Sequence, residues 1–281
     1  MNKRASGVLM HITSLPGDYG IGSFGQAAYD FVDFLKETKQ TYWQILPLTT
    51  TSYGDSPYQS FSAVAGNTHF IDLDFLIRDK FLTKADVKGA DFGSDPEFID
   101  YAKVYEARRP LLEKAVKAIL ADKKEAKKFE SFKEVQAFCQ ANASWLELFA
   151  EYMAIKEHFD NKALQDWDDK KAVKRDEATL EKLRKELADV ITYHQVVQYL
   201  FFSQWAELKA YANKNGIQII GDMPIYISAD SVEVWTQPHL FKLDAECKPR
   251  YIAGVPPDNF SATGQLWGNP IYAWDKHKAE N

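Results

Sequence analysis

Short apolar runs and longer amphipathic segments alternate at the start of the chain. The run 7–13 predicts a buried strand, and segment 28–35 carries apolar residues at the 3.6-residue period of a helix. A second apolar run, 41–48, is bounded by threonines and contains a proline. Strand, helix and strand in this order predict a βαβ unit, whose two strands pair in parallel.

The middle of the chain, from about residue 75 to residue 192, changes to segments rich in Lys, Glu, Ala and Leu. Within three of these segments, apolar side chains fall on one face at helical spacing, which predicts amphipathic helices. We therefore predict a helical insertion subdomain over 75–192. The apolar positions that carry this prediction are Leu112, Ala115, Val116 and Ile119, then Leu146, Phe149 and Met153, then Leu180, Leu183, Leu187 and Ile191.

The last third begins with a longer helical pattern that stops at Asn215-Gly216, a typical helix end. The apolar run 217–224 follows and predicts a third strand, with Asp222 at its carboxyl end. In a parallel α/β barrel, this end of the strands faces the active site. Alone, Asp222 fits a turn or cap residue equally well. We expect three parts: 1–74 with strands 1 and 2, 75–192, and 193–281 with strand 3 and a long loop.

The composition of the chain limits which classes of function and partner we expect. The net charge of −6 and the absence of basic runs beside aromatic residues argue against a nucleic-acid partner. The two cysteines, Cys139 and Cys247, lie far apart without metal-ligand spacing, so we expect neither a disulfide nor a metal site. No segment resembles a signal peptide or a membrane span. We expect a cytoplasmic protein with no membrane partner.

The candidate functional residues lie mainly on two loops, 53–60 and 254–270. Both are dense in Gly, Pro, Asp, Ser and aromatic residues, which excludes regular helices and central strands. Each combines a carboxylate with aromatic rings, and 14% of all residues are aromatic. Either loop could simply cover the core, but together they favour a polar ligand with flat apolar faces. A sugar fits this description.

One apparent cofactor motif lacks the sequence context that a dinucleotide-binding site requires. Gly20-Ile-Gly-Ser-Phe-Gly25 matches the dinucleotide-binding pattern G-x-G-x-x-G. That pattern needs a tight turn directly after a strand and an acidic residue at the end of the next strand. Here Pro16 and Asp18 lengthen the turn, and the second strand ends in Leu-Pro-Leu-Thr-Thr. We therefore expect no nicotinamide or flavin site.

Four long motifs, at residues 11–25, 54–67, 221–226 and 254–270, together resemble the bacterial 4-α-glucanotransferases, also called amylomaltases or disproportionating enzymes. The resemblance implies a (β/α)8 TIM barrel of the α-amylase type, acting on α-1,4-glucans without metal or organic cofactor. It implies transfer of malto-oligosaccharide segments between chains through a covalent glycosyl-enzyme, with retention of configuration. The motifs are residues 11–25, Gly54-Asp-Ser-Pro-Tyr-Gln-Ser-Phe-Ser-Ala-Val-Ala-Gly-Asn67, Gly221-Asp-Met-Pro-Ile-Tyr226 and residues 254–270.

The resemblance also implies roles for individual residues. Tyr58 resembles the ring that stacks on the glucose bearing the scissile bond, with Ser56 and Asp55 beside it. Asp222 resembles the third-strand aspartate that lines the site, and Tyr53 resembles a tyrosine of a secondary glucan-binding position. A mobile loop that arches over the cleft and shields the intermediate is the counterpart of the stretch containing Asp258, Phe260, Gln265 and Trp267.

The chain departs from this family in one respect. The family's nucleophile lies in an Arg-x-Asp-His sequence at the end of the fourth barrel strand, and no such sequence occurs in these 281 residues. The sequence contains only about three of the barrel strands that the resemblance implies, and three strands cannot close a barrel. We therefore expect the N-terminal portion of a larger enzyme, inactive alone, with no catalytic residue of its own and the rest of the barrel as its partner.

Two other functions stay open. The missing nucleophile favours a non-catalytic α-glucan-binding module that uses Tyr58 and Trp267 as platforms. An α-glucan hydrolase of the amylase type is the second alternative, which the long loop 254–270 disfavours. Products formed from maltotriose separate transfer from hydrolysis, because only transfer yields longer chains.

Overall fold

The computed structural model describes residues 4–95, 97–121 and 129–280. The chain divides into two compact units. The first comprises Met1–Leu48, Gly66–Asn142 and Gln195–Met223, and the second comprises Thr49–Ala65, Ala143–His194 and Pro224–Asn281. Each unit draws on three separated stretches, so the three-part division at residues 74 and 192 stays a prediction.

The first unit contains a three-stranded parallel sheet, in the order β1-β2-β3. Its strands are β1 (Gly7–Leu9), β2 (Tyr42–Gln44) and β3 (Gln218–Ile220). Each strand lies inside one of the apolar runs of the sequence, so the parallel βαβ prediction is confirmed. The strands are shorter than those runs. After β1 the chain forms a 3₁₀ turn over Ile12–Ser14, and after β2 it meets Pro47, which has no N–H to donate.

The first unit also contains helices. The core contains Trp43 of β2, whose indole nitrogen donates to the carbonyl of Met10 at 2.7 Å, and a cluster of Phe24, Phe70 and Phe201. These rings are fully buried or nearly so, and they supply much of the apolar area removed from water. The helices are α1 (Gln26–Glu37), α2 (Leu73–Arg78), α3 (Lys84–Val87), α4 (Tyr101–Ala121), α5 (Phe129–Ala141) and the part of α9 (Ala188–Lys214) from Gln195 onwards.

The second unit is mainly helical and has its own aromatic core. Tyr152, Trp167 and Trp235 are fully buried and contact one another, with ring centroids 5.6 to 6.2 Å apart. Leu164, Leu180 and other apolar side chains complete the cluster. Its helices are α6 (Ala143–His158), α7 (Lys170–Val173), α8 (Glu177–Glu186), the start of α9, α10 (Val232–Thr236) and α11 (Trp274–Glu280).

A two-stranded antiparallel hairpin lies within the second unit. It is formed by β4 (Ile252–Val255) and β5 (Gln265–Pro270), so most of the second Gly/Pro-rich loop is the arm and tip of a hairpin. The two backbones approach closely at Gly254, where a Cβ atom would lie 2.5 Å from the carbonyl oxygen of Gln265. Glycine is therefore required at this crossing.

A helix that spans a membrane needs about 20 mostly apolar residues. In the part of the chain that the structure describes, no helix is both long enough and apolar enough to cross a membrane.

Candidate functional site

Eight of the nine expected glucan-binding residues belong to the second unit, and Asp222 belongs to the first. The eight form two groups, one before residue 65 and one after residue 257. The first group is Tyr53, Asp55, Ser56 and Tyr58, and the second is Asp258, Phe260, Gln265 and Trp267.

The first group lies on a tight turn. Gly54 and Asp55 both adopt left-handed backbone conformations, with φ of 66° and 53°. Glycine and aspartate tolerate this region better than most residues. Ser56 then accepts twice: its carbonyl from the Gln59 N–H at 3.1 Å and its hydroxyl from the Tyr58 N–H at 3.3 Å. Tyr58 leaves this turn with 43% of its surface exposed. The side chain of Tyr53 lies outside the described residues.

The base of this turn is fixed by buried polar contacts. The hydroxyl of Ser60 lies 2.9 Å from that of Thr50 and donates to the carbonyl of Ser62 at 2.6 Å. Glu233 of α10 accepts from the N–H of Ala63 at 2.7 Å and from the hydroxyl of Ser62 at 3.2 Å. Burial raises the pKa of the Glu233 carboxyl, although the N–H of Ala63 acts in the opposite direction. The segment that carries Tyr58 is therefore anchored on its C-terminal side.

The tip of the hairpin is organised by Asp258. Its Oδ1 atom accepts from the N–H groups of Phe260 and Ser261, both at 2.8 Å, and the Ser261 hydroxyl donates to the carbonyl of Gly264 at 2.7 Å. These contacts close the tip upon itself and leave the Phe260 ring 93% exposed. An exposed ring of this size in an ordered tip is available to a ligand.

The arm of the hairpin presents Gln265 and Trp267 on strand β5. The side-chain oxygen of Gln265 accepts from the indole N–H of Trp267 at 3.0 Å, which restrains the indole. Trp267 is 37% exposed, and its ring centroid lies 6.1 Å from that of Tyr226. The indole therefore offers a face to solvent while its polar edge is paired.

A side-chain amide joins the two groups. The Nε2 atom of Gln59 donates to the carbonyl of Trp267 at 2.9 Å and to Oδ1 of Asn269 at 3.0 Å. Asn269 is almost fully buried, and its own amide donates to the carbonyl of Ile227 at 3.0 Å. The Tyr58 turn, strand β5 and the segment after residue 224 are thus linked by hydrogen bonds. Gln59 was not predicted to have a role, although it lies inside one of the motifs that carry the family resemblance.

The segment after residue 224 is held by a buried ion pair. Nζ of Lys156 in α6 lies 2.6 Å from Oδ2 of Asp230. Oδ1 of Asp230 accepts from the hydroxyl of Tyr152 at 2.6 Å and from the N–H of Leu164 at 2.9 Å. Both carboxylate oxygens are therefore satisfied, as a buried charge requires. Neither residue was singled out from the sequence, because their partners lie about 70 positions away.

Asp222 lies two residues beyond the end of β3 in the first unit and is exposed. It lines a cleft of about 270 Å³ at the carboxyl ends of β2 and β3. The remaining lining is mostly apolar, with one cation from α9. The lining residues are Ile45, Leu46, Leu48, Trp205, Lys209, Ile219, Gly221 and Asp222.

The chemistry of the second-unit groups matches a polyhydroxylated ligand. Exposed rings at Tyr58, Phe260 and Trp267 provide flat apolar faces, and Gln265 adds an amide beside them. Among the described residues, no group of three or more His, Cys, Asp or Glu side chains is arranged to hold a metal ion. Groups of these kinds suit a ligand that has both hydroxyl groups and flat apolar faces.

Comparison with known proteins identifies close relatives. The profile of the family described as 4-alpha-glucanotransferase matches residues 10–281. The 4-alpha-glucanotransferase of Streptococcus pneumoniae (strain TIGR4) is 64% identical over 275 residues, covering 98% of this chain and 53% of the relative. That of Thermus thermophilus is 45% identical, covering 97% of this chain and 52% of the relative. The chain spans about half the length of these curated relatives.

Solved structures of amylomaltases are also similar to this chain. The amylomaltase from Streptococcus agalactiae, in complex with acarbose, superposes with a TM-score of 0.93 at 63% identity, covering 99% of this chain and 55% of that chain. The amylomaltase from Corynebacterium glutamicum has a TM-score of 0.67 at 18% identity, covering 95% of this chain and 36% of that chain. At that identity, the second likeness concerns the fold alone.

Proposed function

This chain belongs to the 4-α-glucanotransferase family, and we propose that it supplies glucan-binding loops to an enzyme that transfers α-1,4-glucan segments between malto-oligosaccharide chains. The observation that carries the proposal is the exposure of Tyr58, Phe260 and Trp267 on segments held by hydrogen bonds. Rings presented on an ordered frame lose little conformational freedom when a ligand stacks on them. Free loops would bind the same sugar more weakly.

The observed strands and helices form a mixed α/β architecture. We propose that β1, β2 and β3 are the first three strands of a (β/α)8 barrel of the α-amylase type, with the helical insertion between strands 2 and 3. The parallel order β1-β2-β3 supports this proposal. A barrel of this kind places its binding groups on loops that follow the strands, as Asp222 follows β3.

The proposed chemistry retains configuration. It requires a carboxylate nucleophile and a carboxylic acid roughly 5 Å apart on either side of the scissile bond, and the acid later acts as the base. We propose that sequence outside these 281 residues supplies both groups, since the chain contains no Arg-x-Asp-His. Its own residues then bind and orient the glucan.

Eight of the nine expected residues have a direct part in the proposal, and the ninth, Asp258, orders the hairpin tip. Tyr58 stacks on the glucose whose bond is cleaved, with Ser56 and Asp55 shaping the turn beneath it. Trp267 and Gln265 contact the glucan from strand β5, and Phe260 extends the hairpin tip over it. Covering the sugar excludes water, and exclusion of water favours transfer over hydrolysis. Within the first unit, Asp222 has a glucan-binding role of its own, and Tyr53 serves a secondary glucan position.

The proposal is tested by calorimetric titration of the 281-residue chain with maltoheptaose and, separately, with acarbose, the ligand of the S. agalactiae enzyme. We expect binding of both, and loss of roughly ten-fold in affinity for Tyr58→Ala or Trp267→Ala, since one stacking ring contributes about 1 kcal/mol or more. Trp274→Ala is the matched control, because Trp274 is 62% exposed on α11 and lies outside the proposed site. Equal losses in Trp267→Ala and Trp274→Ala would contradict the assignment.

A second candidate is a non-catalytic α-glucan-binding module, which the absence of the Arg-x-Asp-His sequence favours. A maltotriose assay read by product length separates the candidates when it is run on the 281-residue chain and on any longer form found in cells. Longer maltodextrins produced by a longer form support the transferase. Binding without transfer in every form of the protein supports the module.

A further inference from the structure

We propose that Gln59 is a positioning residue, which sets the spacing between the rings of Tyr58 and Trp267 and thereby the glucan segment that can contact both. The inference rests on the proposed glucan site. It assigns a role to a residue that acts through two hydrogen bonds and that needs no direct contact with sugar.

The bridge uses both hydrogens of one nitrogen. Nε2 of Gln59 donates to the Trp267 carbonyl at 2.9 Å and to Asn269 Oδ1 at 3.0 Å. Both receiving atoms are acceptors, so a side chain here must present two donors on one atom. Glutamine meets this requirement without a charge. Glutamate would instead place a carboxylate oxygen against the two acceptor oxygens and repel them.

Both ends of the bridge are fixed. On one side, the Gln59 N–H closes the turn by donating to the carbonyl of Ser56 at 3.1 Å, and the next residue, Ser60, is buried. On the other side, Asn269 is only 4% exposed and donates to the Ile227 carbonyl at 3.0 Å. Because both of its ends are fixed, the link holds the turn and strand β5 in one position relative to each other.

The residues that carry the two rings are directly connected to this link. Tyr58 precedes Gln59 in the chain, and the carbonyl that receives the first hydrogen bond belongs to Trp267 itself. With 43% and 37% of their surfaces exposed, both rings offer faces to a ligand. Loss of the bridge lets strand β5 and the turn move independently, so a glucan has to order them when it binds.

The test is a double-mutant cycle on maltoheptaose affinity, measured by calorimetry with the 281-residue chain. We expect Gln59→Ala to weaken binding roughly ten-fold, because both hydrogen bonds are lost, and Gln59→Glu to weaken it further, because its carboxylate would repel the two acceptor oxygens. In a Trp267→Ala background, Gln59→Ala should change affinity less than about two-fold, since the ring it positions is gone. Gln136→Glu, an exposed glutamine on α5, is the charge control and should leave affinity unchanged.

Additive losses in the cycle would overturn the inference, because they would mean that Gln59 acts independently of Trp267. A wild-type chain that binds neither maltoheptaose nor acarbose would instead overturn the proposed function. The bridge is then judged by hydrogen–deuterium exchange without ligand. Faster exchange over residues 252–255 and 265–270 in Gln59→Ala, with α6 unchanged, supports the positioning role, and unchanged exchange in the hairpin overturns it.

Discussion

Nζ of Lys156 and Oδ2 of Asp230 lie 2.6 Å apart, and the ammonium group also donates to the carbonyls of Asn161 and Lys162 at 3.0 and 2.8 Å. The lysine side chain is 3% exposed and the aspartate side chain 19%. Every donor of the cation is therefore used in a place that water barely reaches. The pair ties α6 to the segment that receives the Asn269 amide.

Removing one member of this pair should be costly. We expect Lys156→Met to lower the free energy of unfolding by about 3–5 kcal/mol, because Asp230 and two carbonyls lose their partner in a buried place. Urea denaturation at pH 7 measures the change. Lys162→Met is the matched control: Lys162 pairs with Asp168 at the surface, with side chains 40% and 76% exposed, and its loss should leave the urea midpoint nearly unchanged. Similar midpoints for the two variants would show that burial is not decisive here.

Glu233 gives the chain a pH dependence with a definite sign. Burial raises the pKa of this carboxyl above its ordinary value of 4.5. The folded state thus holds a proton that the unfolded state releases, so stability is greatest below pH 4.5 for this group and falls as pH rises through the higher folded pKa. Glu233→Gln, which keeps an oxygen for the Ala63 N–H, should flatten this fall. Thermal midpoints at pH 4.5, 5.5, 6.5 and 7.5 check it, and parallel curves for wild type and variant would contradict it.

His11 acts in the opposite direction. It is buried, its Nδ1 atom accepts from the Leu46 N–H at 3.2 Å, and burial lowers its pKa from 6.5 to about 4. The unfolded state therefore takes up a proton first, and stability falls as pH drops from 6.5 towards 4. His69, whose pKa burial lowers to about 3, adds to the same trend.

We expect His11→Asn to remove up to about 3 kcal/mol of this acid sensitivity, since the amide oxygen accepts a hydrogen bond without titrating. Unfolding free energies at pH 7.5 and pH 4.5 provide the measurement, with the value at pH 7.5 as the internal reference. An acid-induced loss of stability as large in the variant as in the wild type would assign that loss to other groups.

The hairpin tip offers a test of Asp258. Its Oδ1 atom accepts two backbone hydrogen bonds within the tip, a geometry that asparagine can also provide. We expect Asp258→Asn to preserve slow amide exchange at Phe260 and Ser261. Asp258→Ala should speed that exchange by roughly five-fold or more, as loss of a local cap costs about 1 kcal/mol. Equal exchange in Asn and Ala variants would argue that Asp258 does not order the tip.

Local periodicity was enough to predict the parallel sheet. The apolar runs that contain Val8, Trp43 and Ile219 place all three strands, and the helix end at Gly216 is confirmed by its φ of 80°. Strand lengths were overestimated, because apolar residues such as Ile12 are buried in a turn and not in the sheet. An apolar residue is buried for its hydrophobicity, whichever backbone geometry carries it.

The candidate site could be predicted less completely. Tyr58, Phe260 and Trp267 were identified through resemblance, and their exposure is consistent with the roles proposed for them. The hairpin itself was missed, because its strands contain Gly and Pro and lack regular alternation. The contacts of Gln59 and Glu233 could not be predicted at all. Their partners lie about 210 and 170 positions away, and nothing local marks a glutamine or a glutamate as a bridge.

The parallel sheet also constrains how the chain can fold during synthesis. Strand β2 pairs with β1 across about 35 residues, but with β3 only across about 175. At ribosomal rates of about 5–20 residues per second, β2 waits roughly ten to thirty seconds for its second neighbour. During that interval its backbone edge is open to any extended segment nearby. The yield of native protein should therefore depend on translation speed and on chaperones that shield the nascent chain.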